Sequence, residues 1–215
     1  NVALVFAAND SYVPYTATMM LSIMKHASQE RGYDFVVLHR DITEDSRALL
    51  DQMLEPYANA SLRLANVSEY TQGLDFYTEN REDFSEEAYY RLLIPEIMQE
   101  YEKVLYFDGD MVALTDVAEL YDTDLGDNLL ASSRDLCGLM SYYNPLEDRR
   151  KYRDCELKLE KPDDYFISGM LLVNVSAFRA AYSWQELLEL AVSREWLQHD
   201  QDILNVICQG RTLLV

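Results

Sequence analysis

The sequence predicts an α/β protein built on a mostly parallel mixed sheet with helices on both faces. Three observations carry that reading. Short β-rich apolar runs alternate with amphipathic stretches of roughly ten to fifteen residues, as strands and crossover helices do. Runs such as DFVVLH are apolar almost throughout, as befits strands buried on both faces. One run, KVLYF, ends abruptly at Asp108 and Asp110, and open sheets of this kind bind ligands at the carboxyl ends of their strands.

The elements follow in order. VALVFAA, residues 2–8, reads as a first strand, and the following stretch, with Pro14 near its start and Met20, Leu21 and Met24 at helical spacing, reads as a helix. DFVVLHR, 34–40, is a second strand. Thr43 then caps a helix with acids in its first turn and Leu49, Leu50, Met53 and Leu54 on one face. SLRLANV, 61–67, alternates as a third strand, and 85–98 reads as a helix up to the interruption at Pro95. KVLYF is about the fourth strand. Residues 137–165 are polar and aromatic with both signs of charge; a solvated loop is the simpler reading and a structured excursion over a site the other. YFISGMLLVNV returns to strand character around Gly169, SAFRAAYSWQELLELAVSREW reads as one amphipathic helix, and HDQDILNVI opens a last helix with acids at its start.

Composition narrows the function. A chain of 215 residues, 49% hydrophobic and 26% charged, is long enough for one sizeable core, so a single domain over 1–215 is expected. The net charge of −20 leaves no basic stripe for nucleic acid and repels anionic membrane surfaces. Screening confines that field to roughly 8–10 Å, so an anionic small molecule can still bind where a local cation neutralises it. Cys137, Cys155 and Cys208 form neither a zinc pattern nor an even disulfide framework, which reads as reduced thiols. No apolar run reaches a membrane span, and the chain opens on a strand instead of a signal peptide; a cytoplasmic protein without a transmembrane segment is expected. The apolar end, RTLLV, suggests a fragment.

Asp-x-Asp occurs three times, and only context separates the copies. Asp122 and Asp124 lie in LYDTDLGDN, which is turn chemistry, and Asp200 and Asp202 open a helix. Asp108 and Asp110 end a strand that should be central. Gly109 between them suits close approach of a ligand or an unusual backbone angle. Two carboxylates there suit a hard divalent cation, Mn²⁺ or Mg²⁺, with open positions for phosphate oxygens; a plain acidic turn is the competing reading. The run after the first strand, AANDSYVPY, has no glycine, so neither a dinucleotide fingerprint nor a Walker loop is present.

Six ordered blocks, VFAANDSYVPY, YYRLLIPEI, KVLYFDGDMVAL, LYDTDLGDNLLASSRD, YFISGMLLVNVSAFR and HDQDILNVI, resemble the family 8 glycosyltransferases over nearly the whole chain. The resemblance implies the GT-A fold, a Rossmann-like nucleotide-diphospho-sugar transferase architecture, and the bacterial lipopolysaccharide-type galactosyl- and glucosyltransferases are the most similar branch. It implies retaining transfer of glucose or galactose from a UDP-sugar to a saccharide or lipid-linked saccharide of lipopolysaccharide or another surface glycan. Carried over position by position, it implies that Asp108 and Asp110 ligate Mn²⁺ and that Asp108 lies near the ribose or sugar. Ala7, Asn9 and Tyr12 fall in the nucleotide pocket, Arg91 on the sugar and its phosphate side, and Ser168 and Gly169 beside the sugar. Asp200 matches the carboxylate that holds sugar hydroxyls, and Gln201 the residue near the anomeric carbon. Catalytic weight thus falls on Gln201, Asp200 and Arg91.

Each residue has a plainer alternative. Arg91 can pair with Glu87 at i−4, Tyr12 can simply pack, Asp200 and Asp202 can favour a helix start, and Gly169 can mark a strand bulge. His26, His39 and His199 are scattered and read as structural or surface residues. Asn9 stands where the family commonly has aspartate, and Ile167 where it often has asparagine. The family's third metal ligand is a histidine in a C-terminal segment, so the resemblance also implies a GT-A domain lacking that segment, whose metal affinity and turnover would be weak if these 215 residues were the whole protein. No carboxylate is clearly placed as a nucleophile, which leaves front-face attack and a covalent intermediate both open. Two rivals stand beside the transferase: a haloacid-dehalogenase-like phosphatase with Asp108 as nucleophile and Asp110 as acid, and a catalytically idle nucleotide-sugar-binding module.

Overall fold

The computed structural model describes residues 1–78, 85–144 and 149–215. Seven strands form one sheet in the order β3-β2-β1-β4-β6-β5-β7: β1 (Val2–Ala7), β2 (Tyr33–His39), β3 (Ala60–Asn66), β4 (Lys103–Phe107), β5 (Leu130–Ser132), β6 (Met170–Asn174) and β7 (Thr212–Leu214). The pairs β1/β2, β2/β3, β1/β4 and β5/β7 are parallel, while β6 runs antiparallel to both its neighbours. The sheet is mixed and mostly parallel, as expected.

Period-two alternation against a core on each face explains why β1, β2 and β4 are apolar almost throughout. Val2, Leu4 and Phe6 of β1, Phe35 and Val37 of β2, and Leu105 and Phe107 of β4 face one core; Ala3, Val5, Val36, Leu38, Val104 and Tyr106 face the other. The first core is closed by helices α1 (Val13–His26), through Met20 and Ile23, and α2 (Glu44–Leu54), through Leu50 and Leu54. Thr43 caps α2 by accepting from the Ser46 amide, whereas Leu49 points to solvent, 49% exposed. The second core is closed by residues 86–93 and by α4 (Val175–Ala181), α5 (Trp184–Val192) and α6 (His199–Ile207).

Three expectations are corrected and one strand is added. Residues 86–93 form a 3₁₀ helix, and Pro95 sits in the first turn of a separate short helix, Ile94–Ile97, where a missing N–H costs nothing. The stretch expected as one helix after β6 is two, α4 and α5, because Ser183 and Glu186 form a reciprocal capping box that starts a new helix. RTLLV contributes β7, which pairs with β5, a strand the pattern reading missed. The excursion between β5 and β6 is structured: helix α3 (Leu136–Tyr143), a turn at Arg149–Lys151, a π-helical turn Tyr152–Glu156 and a 3₁₀ turn Pro162–Asp164. Residues 145–148 of that stretch lie outside the described residues.

The arrangement positions a site. β4 lies at the middle of the sheet between parallel β1 and antiparallel β6, so its carboxyl end meets that of β1 and the amino end of β6.

Candidate active site

A cavity of about 550 Å³ opens at that junction, and its wall includes Ala7, Asn9, Tyr12, Arg91, Asp108, Asp110, Ser168, Gly169, Asp200 and Gln201. All ten residues singled out in the sequence therefore converge on one space. Ala7 ends β1, and Asn9 caps the turn that follows, its Oδ1 accepting from the Tyr12 amide at 3.0 Å and the Ser11 hydroxyl at 2.7 Å. The Tyr12 hydroxyl donates to Asp110 Oδ2 at 3.1 Å, and burial, followed by the nearby Asp110 charge, pushes its pKa up to about 12. Tyr12 is thus more than a packing residue: it ties the start of α1 to the acidic pair.

Sterics fix the glycines. A Cβ on Gly109 would lie 2.5 Å from Thr16 Oγ1 of α1, so a glycine is needed for the acidic turn to pack on that helix. Its φ is not positive, which removes the unusual backbone angle as the reason. A Cβ on Gly169 would lie 2.5 Å from Asp108 Oδ2, and the Asp108 amide donates to the Gly169 carbonyl at 2.8 Å. Gly169 is accordingly no bulge; it makes room for a carboxylate.

Arg91 organises the charge. Its Nη2 donates to Asp108 Oδ1 at 2.9 Å, its Nε lies 3.1 Å from Asp200 Oδ2, and it also donates to the carbonyls of Ala88 and Ser168. The guanidinium rests 4.3 Å over the Tyr106 ring, whose hydroxyl donates to the same Asp108 oxygen at 3.0 Å. Arg91 pairs with these two carboxylates rather than with Glu87. Burial alone would lower its pKa, but Asp108 and Asp200 outweigh that and raise it. Asp200 is pushed the other way from an ordinary carboxylate, up to about 6, because burial outweighs the attraction of Arg91. One cation shared by two acids compensates the buried Asp200 only in part. Gln201 is held at both ends: its Oε1 accepts from the Ser168 amide at 3.0 Å and its Nε2 donates to Asp135 Oδ2 at 3.1 Å.

Residues 3–215 match the family model described as glycosyl transferase family 8. The chain belongs to that family. Among relatives of this family 8 chain, glycosyltransferase GlyA of Streptococcus pneumoniae is 30% identical over 98% of the chain, and a putative glycosyltransferase of Haemophilus influenzae is 23% identical over 99%. Among solved structures, the bifunctional glycosyltransferase WbbM superposes with a TM-score of 0.86 at 28% identity over the whole chain. The galactosyltransferase LgtC, captured with donor and acceptor sugar analogues, superposes with 0.79 at 27%, also over the whole chain. These are GT-A folds, and the sheet described above is the same architecture. The chain spans 26% of GlyA, 61% of the Haemophilus protein, 38% of WbbM and 73% of LgtC.

Other positions of the family 8 chain clarify the sequence reading. Asp122 and Asp124 serve a surface ion pair with Arg31 and a turn, as turn chemistry requires. Asp202 is not merely a helix-start charge: buried, it accepts from the hydroxyls of Tyr152 and Tyr165, both at 2.6 Å, and from the Gln198 amide. His39 accepts from the Ile42 amide, His26 lies against the Ser22 carbonyl, and His199 stacks on Tyr77 and meets Tyr89 edge-on. Among the described residues, no three His, Cys, Asp or Glu side chains gather as a metal-binding set.

Three residues at the site escaped the sequence reading. Tyr106 shares a strand face with Asp108 at i and i+2, a signal that was available. Asp135 closes the resembling block LYDTDLGDNLLASSRD and caps α3 through the Gly138 amide, but nothing local announces its bond to Gln201. Glu87 lines the cavity, and its buried Oε2 has no hydrogen-bond partner among the described residues.

Proposed function

We propose that this domain transfers glucose or galactose from a UDP-sugar to a hydroxyl of a saccharide acceptor, with retention at the anomeric carbon. The observation that carries the reading is the joining of Asp108, Asp110, Arg91, Asp200 and Gln201 in one cavity at the carboxyl end of a central strand. Likeness to LgtC, a galactosyltransferase captured with donor and acceptor sugar analogues, supports the same chemistry.

A divalent cation fits this donor set. Asp108 commits Oδ1 to Arg91 and Tyr106, and no described residue donates to its Oδ2; Asp110 is exposed and, among the described residues, meets only the Tyr12 hydroxyl through Oδ2. Hard carboxylate oxygens suit Mn²⁺ or Mg²⁺, with remaining positions left to oxygens other than those of the described side chains. When bound there, the ion supplies Lewis-acid stabilisation of the departing diphosphate inside an acidic protein.

The chain's own residues do the rest. Tyr12 offers a ring face to the uracil, while Asn9, whose Oδ1 is committed to its turn, offers its amide nitrogen and Ala7 its backbone. Arg91, fixed from four directions, holds Asp200 at the sugar and Asp108 at the diphosphate end without adjusting during the reaction, which is the advantage of preorganised polar groups. Ser168 and Gly169 keep the space beside the sugar small. Gln201 presents a neutral amide, locked by Ser168 and Asp135, that steadies the positively charged sugar. Of the carboxylates assigned to the site, Asp200 is tied to Arg91 and Asp108 and Asp110 to the diphosphate end, so front-face attack is the simpler route to retention. The acceptor proton then passes to the leaving phosphate. The phosphatase reading loses its ground with the family and with Asp108 Oδ1 engaged by Arg91.

The test is calorimetric titration of UDP with and without Mn²⁺, together with a UDP-sugar turnover assay. Mn²⁺-dependent UDP binding with turnover is expected. Binding without turnover would instead mark a nucleotide-sugar-binding module, and absence of both would overturn the reading.

A further inference from the structure

A second cavity, of about 330 Å³, adjoins the first, and Gln198 and Gln201 line both. Its outer wall is the excursion between β5 and β6, where the charge differs from the rest of the molecule. Residues 149–153 read RRKYR, four of the chain's 18 Lys and Arg within five positions of a protein with net charge −20. Two of them, Arg149 and Arg153, line the second cavity.

Arg153 is set into the structure. Its side chain is 5% exposed and its guanidinium lies 3.8 Å over the Tyr165 ring. The acid facing it, Asp135, is 3.9 Å from Nη2 and already accepts from the Gly138 amide and from Gln201. Nη1 of Arg153 is buried without a hydrogen-bond partner among the described residues. A Cβ on Gly138 would collide with both this guanidinium and the Asp135 carboxylate, so the glycine keeps the arginine in place. Asp202, the other acid on this wall, is saturated by two tyrosine hydroxyls and a backbone amide. A buried donor left unmatched is costly unless something accepts from it, and a guanidinium matches carboxylate and phosphate alike.

We propose that the second cavity receives a negatively charged substituent of the acceptor saccharide, a carboxylate or a phosphate ester, held by Arg149 and Arg153. The proposal rests on the reading of the first cavity as the transfer site, because Gln201 is the wall they share. The field of the whole molecule biases against anions, so a preference for an anionic saccharide has to arise from these local arginines.

The test measures dissociation constants of glucuronate, glucose 6-phosphate and glucose by ligand-observed NMR, with neither donor nor metal present. At least one anionic sugar is expected to bind about tenfold tighter than glucose, a preference reduced to about threefold or less in Arg149→Gln and in Arg153→Lys. Tighter glucuronate assigns a carboxylate, tighter glucose 6-phosphate a phosphate ester. Arg149 is half-exposed, so its variant decides the matter should the Arg153 variant lose its circular-dichroism signature. Equal binding of all three sugars, or an anion preference that survives in the folded variants, overturns the proposal. Because no UDP-sugar is used, failure of turnover would remove the transferase reading without altering this result.

Discussion

Asp108 and Gly169 are fitted to each other across two strands: the Asp108 amide bonds the Gly169 carbonyl at 2.8 Å, and a Gly169 Cβ would sit 2.5 Å from Asp108 Oδ2. Gly169→Ala should therefore act through Asp108. The methyl displaces the carboxylate, loosens its pair with Arg91 and costs about 1–3 kcal/mol in overpacking. Urea denaturation reads the stability loss, and calorimetry should show Mn²⁺-dependent UDP affinity reduced by about tenfold or more.

Arg91 balances two acids, so removing it leaves both uncompensated. Arg91→Met is expected to lose about 3–5 kcal/mol, the range for breaking a buried pair from one side. The loss should be larger at pH 8 than at pH 5, where Asp200 takes up a proton. Chemical denaturation at the two pH values checks this, and an equal loss at both would contradict the assigned pairing.

Asp200 gives a pH signature of its own. Its folded pKa of about 6 lies above the roughly 3.9 of an unfolded aspartate, so the folded chain holds this proton more tightly. The resulting stabilisation is complete below about pH 4 and is lost as pH rises through about 6, for a total of up to about 3 kcal/mol. Asp200→Asn does not titrate. Subtracting its stability from that of the parent chain should give a difference that falls between pH 4 and pH 7; a flat difference would contradict the burial argument.

Asp110 and Tyr12 separate metal binding from base contact. Asp110 is exposed, so Asp110→Ala should change stability by only about 0.5 kcal/mol while abolishing Mn²⁺-dependent turnover. Tyr12→Phe keeps the ring and should retain most UDP affinity, whereas Tyr12→Ala should lose about 1–3 kcal/mol of it. Equal affinity of all three chains for UDP would remove Tyr12 from the nucleotide pocket.

Much of the fold was legible because its signals are local. The uninterrupted apolar runs of β1, β2 and β4 and the Thr43 cap each lie within a few residues. Ser183 and Glu186 carried an equally local signal, and the break between α4 and α5 follows from it. Strands β5 and β7, three residues each, are too short for periodicity, and an apolar run does not say that β6 runs antiparallel to β4. The site divides in the same way. Asp108 and Asp110 announced themselves at a strand end, and ordered motifs gathered the other residues now found around one cavity. The bond from Gln201 to Asp135 spans 66 positions, and that from Asp202 to Tyr152 spans 50, so each exists only once the chain has folded.

The carboxylate of Asp202, clasped by Tyr152 and Tyr165, fastens the excursion between β5 and β6 to the first turn of α6, one residue from Gln201. The segment facing the second cavity and the helix bearing Gln201 are in effect a single mechanical part. Diversification of this scaffold would have to exchange both together, since a transplanted excursion lacking its phenols would strand a buried charge beneath the residue it was meant to serve.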